Sequence, residues 1–392
     1  MNIWSIFLTF FRLGLTSFGG PVAHLGYFHE AFVHRKKWLS AHEYADIVAL
    51  CQALPGPASS QVGMSIGLLR GGVSGSVAAW LGFTLPSAFI MILLSMFVNN
   101  LHGLMSPLIL RGLKLAAVVV VIHALVFMAK SLCPDPKRKI LALLVAAPLL
   151  VVSHTALQIA LIILGGILGA FWLPETASAA ELPESSKTSD VFRLSRRFGV
   201  VSLSLLVFLL VSLPILSAAS NNTFVSLFEK FFRVGALIFG GGHVVLPLLA
   251  TEFVDTKWVA QDLFLSGYGA AQAIPGPLFS FAGFIGAAVE SWQGGIIALV
   301  AVFLPSFLVV FGVLPFWNKL KELHRMRRAL SGVNAAVVGL LLAALIHPVG
   351  STAIKQTSDV VIVATGLGLM FFGRAQSWIV VLLCTLLAVL NP

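Results

Sequence analysis

The hexapeptide Gln52-Ala-Leu-Pro-Gly-Pro57 lies inside long apolar sequence, and it recurs 220 residues later as Gln272-Ala-Ile-Pro-Gly-Pro277. Proline lacks the amide hydrogen that a helix needs and clashes with the preceding turn. A chain that breaks a helix twice in the same way must satisfy the freed backbone groups at both places. The match extends upstream, where Phe10–Gly20 (FFRLGLTSFGG) and Phe231–Gly241 (FFRVGALIFGG) share seven of eleven positions at an offset of 221. After a one-residue deletion the offset of 220 places Gly75 on Gly295, Phe83 on Phe303, Gly112 on Gly332 and Ala116 on Ala336. Chance likeness between apolar helices would not reproduce Arg, Gln, Gly and Pro in order, so the chain has two homologous halves.

Of 392 residues, 58% are hydrophobic and only 10% are charged, against about 25% charged in soluble domains. Such a chain cannot cover a water-facing surface, and its apolar runs of roughly 18 to 25 residues indicate a helical, polytopic membrane protein. Barrel strands would show short alternating segments instead. The net charge of +10 comes mostly from loops between apolar runs, which signals membrane orientation and not nucleic-acid binding. Cys51, Cys133 and Cys384 are too few and too scattered for a disulfide framework or a thiolate metal site. No motif indicates a metal or other cofactor.

The expected organisation is an N-terminal repeat over 1–172, a polar linker over 173–198, one connecting transmembrane helix over 199–217, and a C-terminal repeat over 218–392. Read as six segments per half, the runs give thirteen crossings, and the odd number before the second half inverts it. Loop charges agree: 16 basic residues fall on the side of the N-terminus and linker and 8 on the other, which places the former in the cytoplasm and the C-terminus outside. Arg35-Lys36-Lys37 falls on the wrong side, and a re-entrant hairpin in place of the first span would correct it.

Inverted repeats with Gly/Pro-interrupted helices at matching positions point to a secondary transporter with its site at the repeat interface. A break within the bilayer frees N–H groups at the start of a half-helix, where the dipole also favours an anion. Each half offers two breaks: Gly19-Gly20 and Gly240-Gly241 form one pair, and Pro55-Gly56-Pro57 and Pro275-Gly276-Pro277 the other. An ordinary kink is the alternative for any one of them. Gln52 and Gln272 lie one helical turn before the prolines, where an amide would bond the freed backbone or a ligand. Ser59, Ser60 and Gln61 follow the first break, and their only polar counterpart after the second is Ser280, between Phe279 and Phe281. Arg12 and Arg233 repeat two residues before a matched glycine. A guanidinium within a membrane segment costs at least about 2.5 kcal/mol on insertion scales, and its fork of donors suits a multi-oxygen anion; snorkelling is the competing explanation. His24, His243, Glu30 and Glu252 follow the breaks and are candidates for proton coupling, with packing, capping or ion pairing as the alternative.

The rival class is an intramembrane serine protease. Gly63–Gly67 fits G-x-S-x-G around Ser65, and Ser74 lies in Gly-Val-Ser-Gly, but the second half has no matching serine. The nucleophile elbow also needs a strand-to-helix turn, and small residues at this spacing are common on helix-packing faces.

The segments Phe10–Leu39, Ala49–Gly72, Phe239–Leu249 and Gly267–Gly283, in that order, resemble the chromate ion transporter family in its long two-domain form. The resemblance implies export of chromate across the bacterial cytoplasmic (inner) membrane and chromate resistance, with sulfate or another oxyanion, including its uptake, as the alternative cargo. A homodimer is a further expectation.

Overall fold

The computed structural model describes residues 2–100, 107–152, 154–174, 194–239, 241–320 and 323–391, and among them the regular structure is helical. Most of the polar linker, 175–193, and Gly240 lie outside the described residues. In the first half, α1 (Ile3–Thr16) leads to a break at Ser17–Gly19, followed by α2 (Gly20–His29), which runs on as a π-turn, Glu30–Arg35. Next come α3 (Ala41–Ala53), the Pro-Gly-Pro, α4 (Ala58–Asn100), α5 (Pro107–Leu132), α6 (Pro136–Val151) and α7 (Thr155–Trp172). The helix α8 (Arg196–Ala219) stands between the halves. The second half repeats the series: α9 (Thr223–Leu237), α10 (Gly242–Val254), α11 (Gln261–Ala271), α12 (Leu278–Phe316), α13 (His324–Ala353), α14 (Thr357–Phe371) and α15 (Ser377–Leu390). Six described helices are long and apolar enough to cross a membrane: α4, α5, α7, α8, α12 and α13. On α8, Phe208, Val211 and Ile215 project outward from the protein, as lipid-facing side chains do.

The first two apolar runs of each half fold back instead of crossing. Helix α2 returns along α1, with Phe28 and Phe32 both against Phe10. Trp38 then meets Arg70, and Gly71 lies beside Ile6 near the start of α1. Arg35–Lys37 is thereby returned to the N-terminal face. Helix α3 and the first segment of α4 form a second hairpin, closed by the Pro-Gly-Pro. The count of thirteen crossings does not hold, but removing four such runs leaves an odd number, so the second half is still inverted.

The inversion is visible where the halves meet. Along α4 and α12, Trp80 packs on Phe303 and Phe307, while Ile92 packs on Gly283 and Gly295. Residue numbers rise on one helix as they fall on the other, so equivalent helices cross antiparallel. Each of these helices is itself a hairpin, bent at Gly71-Gly72 and at Glu290-Ser291. A Cβ on Gly67 would lie 2.3 Å from the Gly75 carbonyl oxygen, and a Cβ on Gly286 the same distance from that of Gly294. These pairs correct the register through this region to 219: Gly75 corresponds to Gly294 and Phe83 to Val302, one residue earlier than the sequence alignment places them. The register returns to 220 in the last helices. There Gly112 of α5 packs on Cys384 and Thr385 of α15, and Gly332 of α13 on Gly165 and Gly169 of α7. Each half thus packs its final helix on the other half, and both of the apolar core clusters draw residues from the two halves.

Candidate transport cavity

The two kinds of break interlock reciprocally. The amide of Gly56 donates to the carbonyl of Ile238 at 2.7 Å, and that of Gly276 to the carbonyl of Ser17 at 2.9 Å. Ser17 and Ile238 are themselves equivalent, so each Pro-Gly-Pro is stapled to the glycine-rich break of the opposite half. Both central glycines have positive φ, 122° and 106°, a conformation that L side chains rarely adopt. Within the first Pro-Gly-Pro, Gln61 donates from Nε2 to the Pro55 carbonyl at 2.6 Å. The glycine amides freed there therefore serve the repeat interface.

The glycine-rich breaks are different, because a cavity of about 620 Å³ lies between them. Its wall includes Phe18 and Gly19 of the first half, Gly241, Gly242 and His243 of the second, and one side of α5 around His123. Three helices begin at this wall. Helix α2 starts after Gly19, α10 after Gly241 and α15 after Gln376, and none of the three N-caps has a side-chain hydrogen bond to its first turn. An uncapped helix start presents unpaired N–H groups and the positive end of the helix dipole. Arg374, in the short connection from α14 to α15, joins the wall and has no ion pair among the described residues. Glu30 also lines the cavity, its carboxylate accepting from Arg35 at 2.9 Å. The His243 Nδ1 lies 2.9 Å from the Tyr268 hydroxyl, and its Nε2 faces the first-half break, 4.0 Å from where a Cβ on Gly20 would sit. The wall thus brings backbone N–H donors, one guanidinium and one imidazole to a single cavity.

The cavity runs from the breaks toward the face that carries the N-terminus. That face is marked by the start of α1, the ends of α5 and α14 and the start of α15. Toward the opposite face, α5 is tied down by ion pairs across the halves. Lys114 meets Asp262 at 2.8 Å, and Arg111 meets Asp359 at 2.7 Å while also donating to the carbonyl of Asn391.

Of the residues singled out from sequence, Gly19, Gly241, Glu30 and His243 line the cavity, with Gly20 next to it. His24 is buried behind the wall, its Nδ1 3.4 Å from the Ser59 hydroxyl. The Ser60 hydroxyl is buried without a partner, Gln272 is buried and Gln52 exposed. Arg12 lies on the exposed side of α1. Arg233 is held by Glu229 at 3.1 Å and Glu252 at 2.9 Å, with Lys230 3.2 Å from the same Glu252. Arg374, Gln376 and Ser377 were not anticipated, because Gly373-Arg-Ala-Gln-Ser377 between two apolar runs reads as an ordinary basic loop, and His123 was not because it stands alone within the apolar run of α5. The two serines of the protease alternative meet no histidine: Ser65 pairs with the Cys51 thiol at 3.6 Å, and Ser74 donates to the Gly71 carbonyl.

The model of the chromate transporter family matches residues 4–170 and again 225–389. The chain belongs to the chromate transporter family. A chromate transport protein of Pseudomonas aeruginosa is 26% identical over 98% of this chain and 90% of its own length. Another from Cupriavidus metallidurans is 28% identical, covering 86% of this chain and 80% of its own. An uncharacterized transporter of Methanocaldococcus jannaschii is 27% identical over 88% and 83%. No solved structure matches the chain. As a member of the chromate transporter family it is a multi-pass membrane transporter, and the two matched regions coincide with the two sets of helices that interlock at the breaks.

Proposed function

We propose that the protein exports chromate, a tetrahedral dianion, from the bacterial cytoplasm across the inner membrane and so confers chromate resistance. The observation that carries this reading is the meeting of three uncapped helix starts and Arg374 around one cavity between the glycine-rich breaks. Backbone donors and a guanidinium replace the water around the anion without burying an uncompensated set of full charges. The repeats over 1–172 and 218–392 form the transport unit, with the linker and connecting helix over 173–217 permitting the inversion. With the N-terminus and linker in the cytoplasm, as the loop charges favour, the cavity opens inward, where an exporter loads. The negative-inside potential then favours departure by about 2.3 kcal/mol per charge per 100 mV, and by roughly twice that for a dianion.

On this reading Arg374 is the arginine that touches the anion, while Arg233 organises Glu229 and Glu252 away from it. If protons are coupled, Glu30 and His243 are the groups placed to do so. The test is flux in everted vesicles, where an exporter accumulates its substrate. Chromate accumulation above that of vesicles lacking the protein is the expected result. Sulfate accumulation without chromate would transfer the function to the other tetrahedral dianion, and movement of neither would overturn the reading.

A further inference from the structure

The inverted repeat relates the open cavity to a second place on the opposite face. Offsets of 220 or 221 carry Gly26 to Pro247, Glu30 to Thr251, Val120 to Leu340, His123 to Ala343, Ala124 to Ala344 and Met128 to Pro348. All six residues so reached line one small cavity, and its volume is about 30 Å³ against about 620 Å³ for its counterpart. The smaller, closed cavity has room for about one water molecule. At the closed cavity two lining side chains meet directly: the Gln158 side-chain amide donates to the Thr251 hydroxyl at 2.7 Å, and both side chains are buried. The remaining amide oxygen of Gln158 is buried without a partner. At the open cavity the equivalent residues, Trp378 and Glu30, are occupied elsewhere, with Gln376 and Arg35.

The two cavities also differ in charge. Arg374 on the open side is replaced by His154 at the equivalent position, and the charged residue lining the closed cavity is Asp255. Glu30 gives the open cavity a carboxylate too, so the difference lies in the Arg374 guanidinium, which favours an anion on one face only.

We infer that the closed cavity is the second anion vestibule, from which a tetrahedral oxyanion leaves, and that the Gln158–Thr251 hydrogen bond holds it shut while the first is open. The inference rests on the transport reading of the open cavity. Exchange of the two conformations between the halves closes the first vestibule around Ala124 and opens the second around Ala344.

The three native cysteines are all buried, and replacing them gives a background for single-cysteine labelling with a membrane-impermeant maleimide. In right-side-out vesicles loaded with chromate, Ala344→Cys is expected to react from the outer face, and faster than without chromate. Ala124→Cys is expected to react only in everted vesicles. Adding Thr251→Val removes the closing hydrogen bond and should raise Ala344→Cys labelling about fivefold without chromate, the shift expected for one net hydrogen bond. If Ala344→Cys stays unreactive from both faces in vesicles that move chromate, the second vestibule is refuted. If no chromate moves but sulfate drives the same labelling changes, the vestibule stands and the chromate reading falls.

Discussion

Replacing Gly276 with alanine attacks the interlock at one atom. The added Cβ would lie 2.8 Å from the Ser87 hydroxyl oxygen and 3.0 Å from the Ser87 Cβ, at a residue whose φ is 106°. The left-handed backbone costs about 1–3 kcal/mol for a residue other than glycine, and overpacking of this kind about 1–3 kcal/mol more. Gly276→Ala should therefore lower the unfolding free energy by about 2–6 kcal/mol, read by equilibrium unfolding of the detergent-solubilised protein. Adding Ser87→Gly removes both crowded atoms but not the backbone strain, so only the overpacking share should return, less about 1 kcal/mol for a glycine within a helix. Because Gly276 donates to Ser17, strain there should also loosen the first-half break and lower transport. An unfolding free energy within about 0.5 kcal/mol of the parent, the size of an ordinary surface change, would refute the reasoning.

The ion pair from α5 to α11 supplies another prediction. Asp262→Asn leaves the buried Lys114 ammonium without its counter-ion and should destabilise by up to about 3 kcal/mol, less than a fully buried pair because Asp262 is exposed. Lys114→Met combined with Asp262→Leu should recover most of that loss in the same unfolding measurement. Arg12→Ala, on the exposed side of α1, should leave the chromate dissociation constant within about twofold, the effect of a typical surface change, as measured by equilibrium binding to purified protein. Ser65→Ala and Ser74→Ala should retain full vesicle flux, and loss of flux with unchanged folding in either would reopen a nucleophilic role.

Much of the architecture was legible because helix breakers and glycines carry positional information even in apolar sequence. The Pro-Gly-Pro pair and the Phe-Phe-Arg pair fixed the two halves, and loop charges pointed to their inversion. The hairpins were harder to read. A run such as 4–27 is long enough to cross a bilayer, and only the packing of Phe28 and Phe32 back onto Phe10 shows that it turns round. The one-residue change of register near Gly75 left one trace, the recurrence of Leu85-Pro-Ser87 as Leu304-Pro-Ser306 at an offset of 219, but glycine and small residues on both sides of it also allowed an offset of 220. At the site, periodicity and repetition pointed to the glycine-rich breaks and to Arg12. The interlocking of each half's last helix with the other half brought in Arg374, a long-range consequence of topology that no local pattern announces. The Pro-Gly-Pro amides freed by the break were expected to face an anion, but the glycine amides bond the opposite half instead.

The central claim is that the cavity between the glycine-rich breaks holds the anion through helix starts and Arg374. Chromate binding to the purified Arg374→Gln protein tests it most directly, with Arg374→Lys alongside. Loss of a charge-assisted hydrogen bond of about 1.5–3 kcal/mol should weaken binding roughly 10- to 150-fold. The lysine variant should fall between the two, because it keeps the charge and loses the fork. The unfolding midpoint should not move, since Arg374 makes no ion pair within the described structure. An unchanged dissociation constant in Arg374→Gln, with the protein folded, would contradict the account.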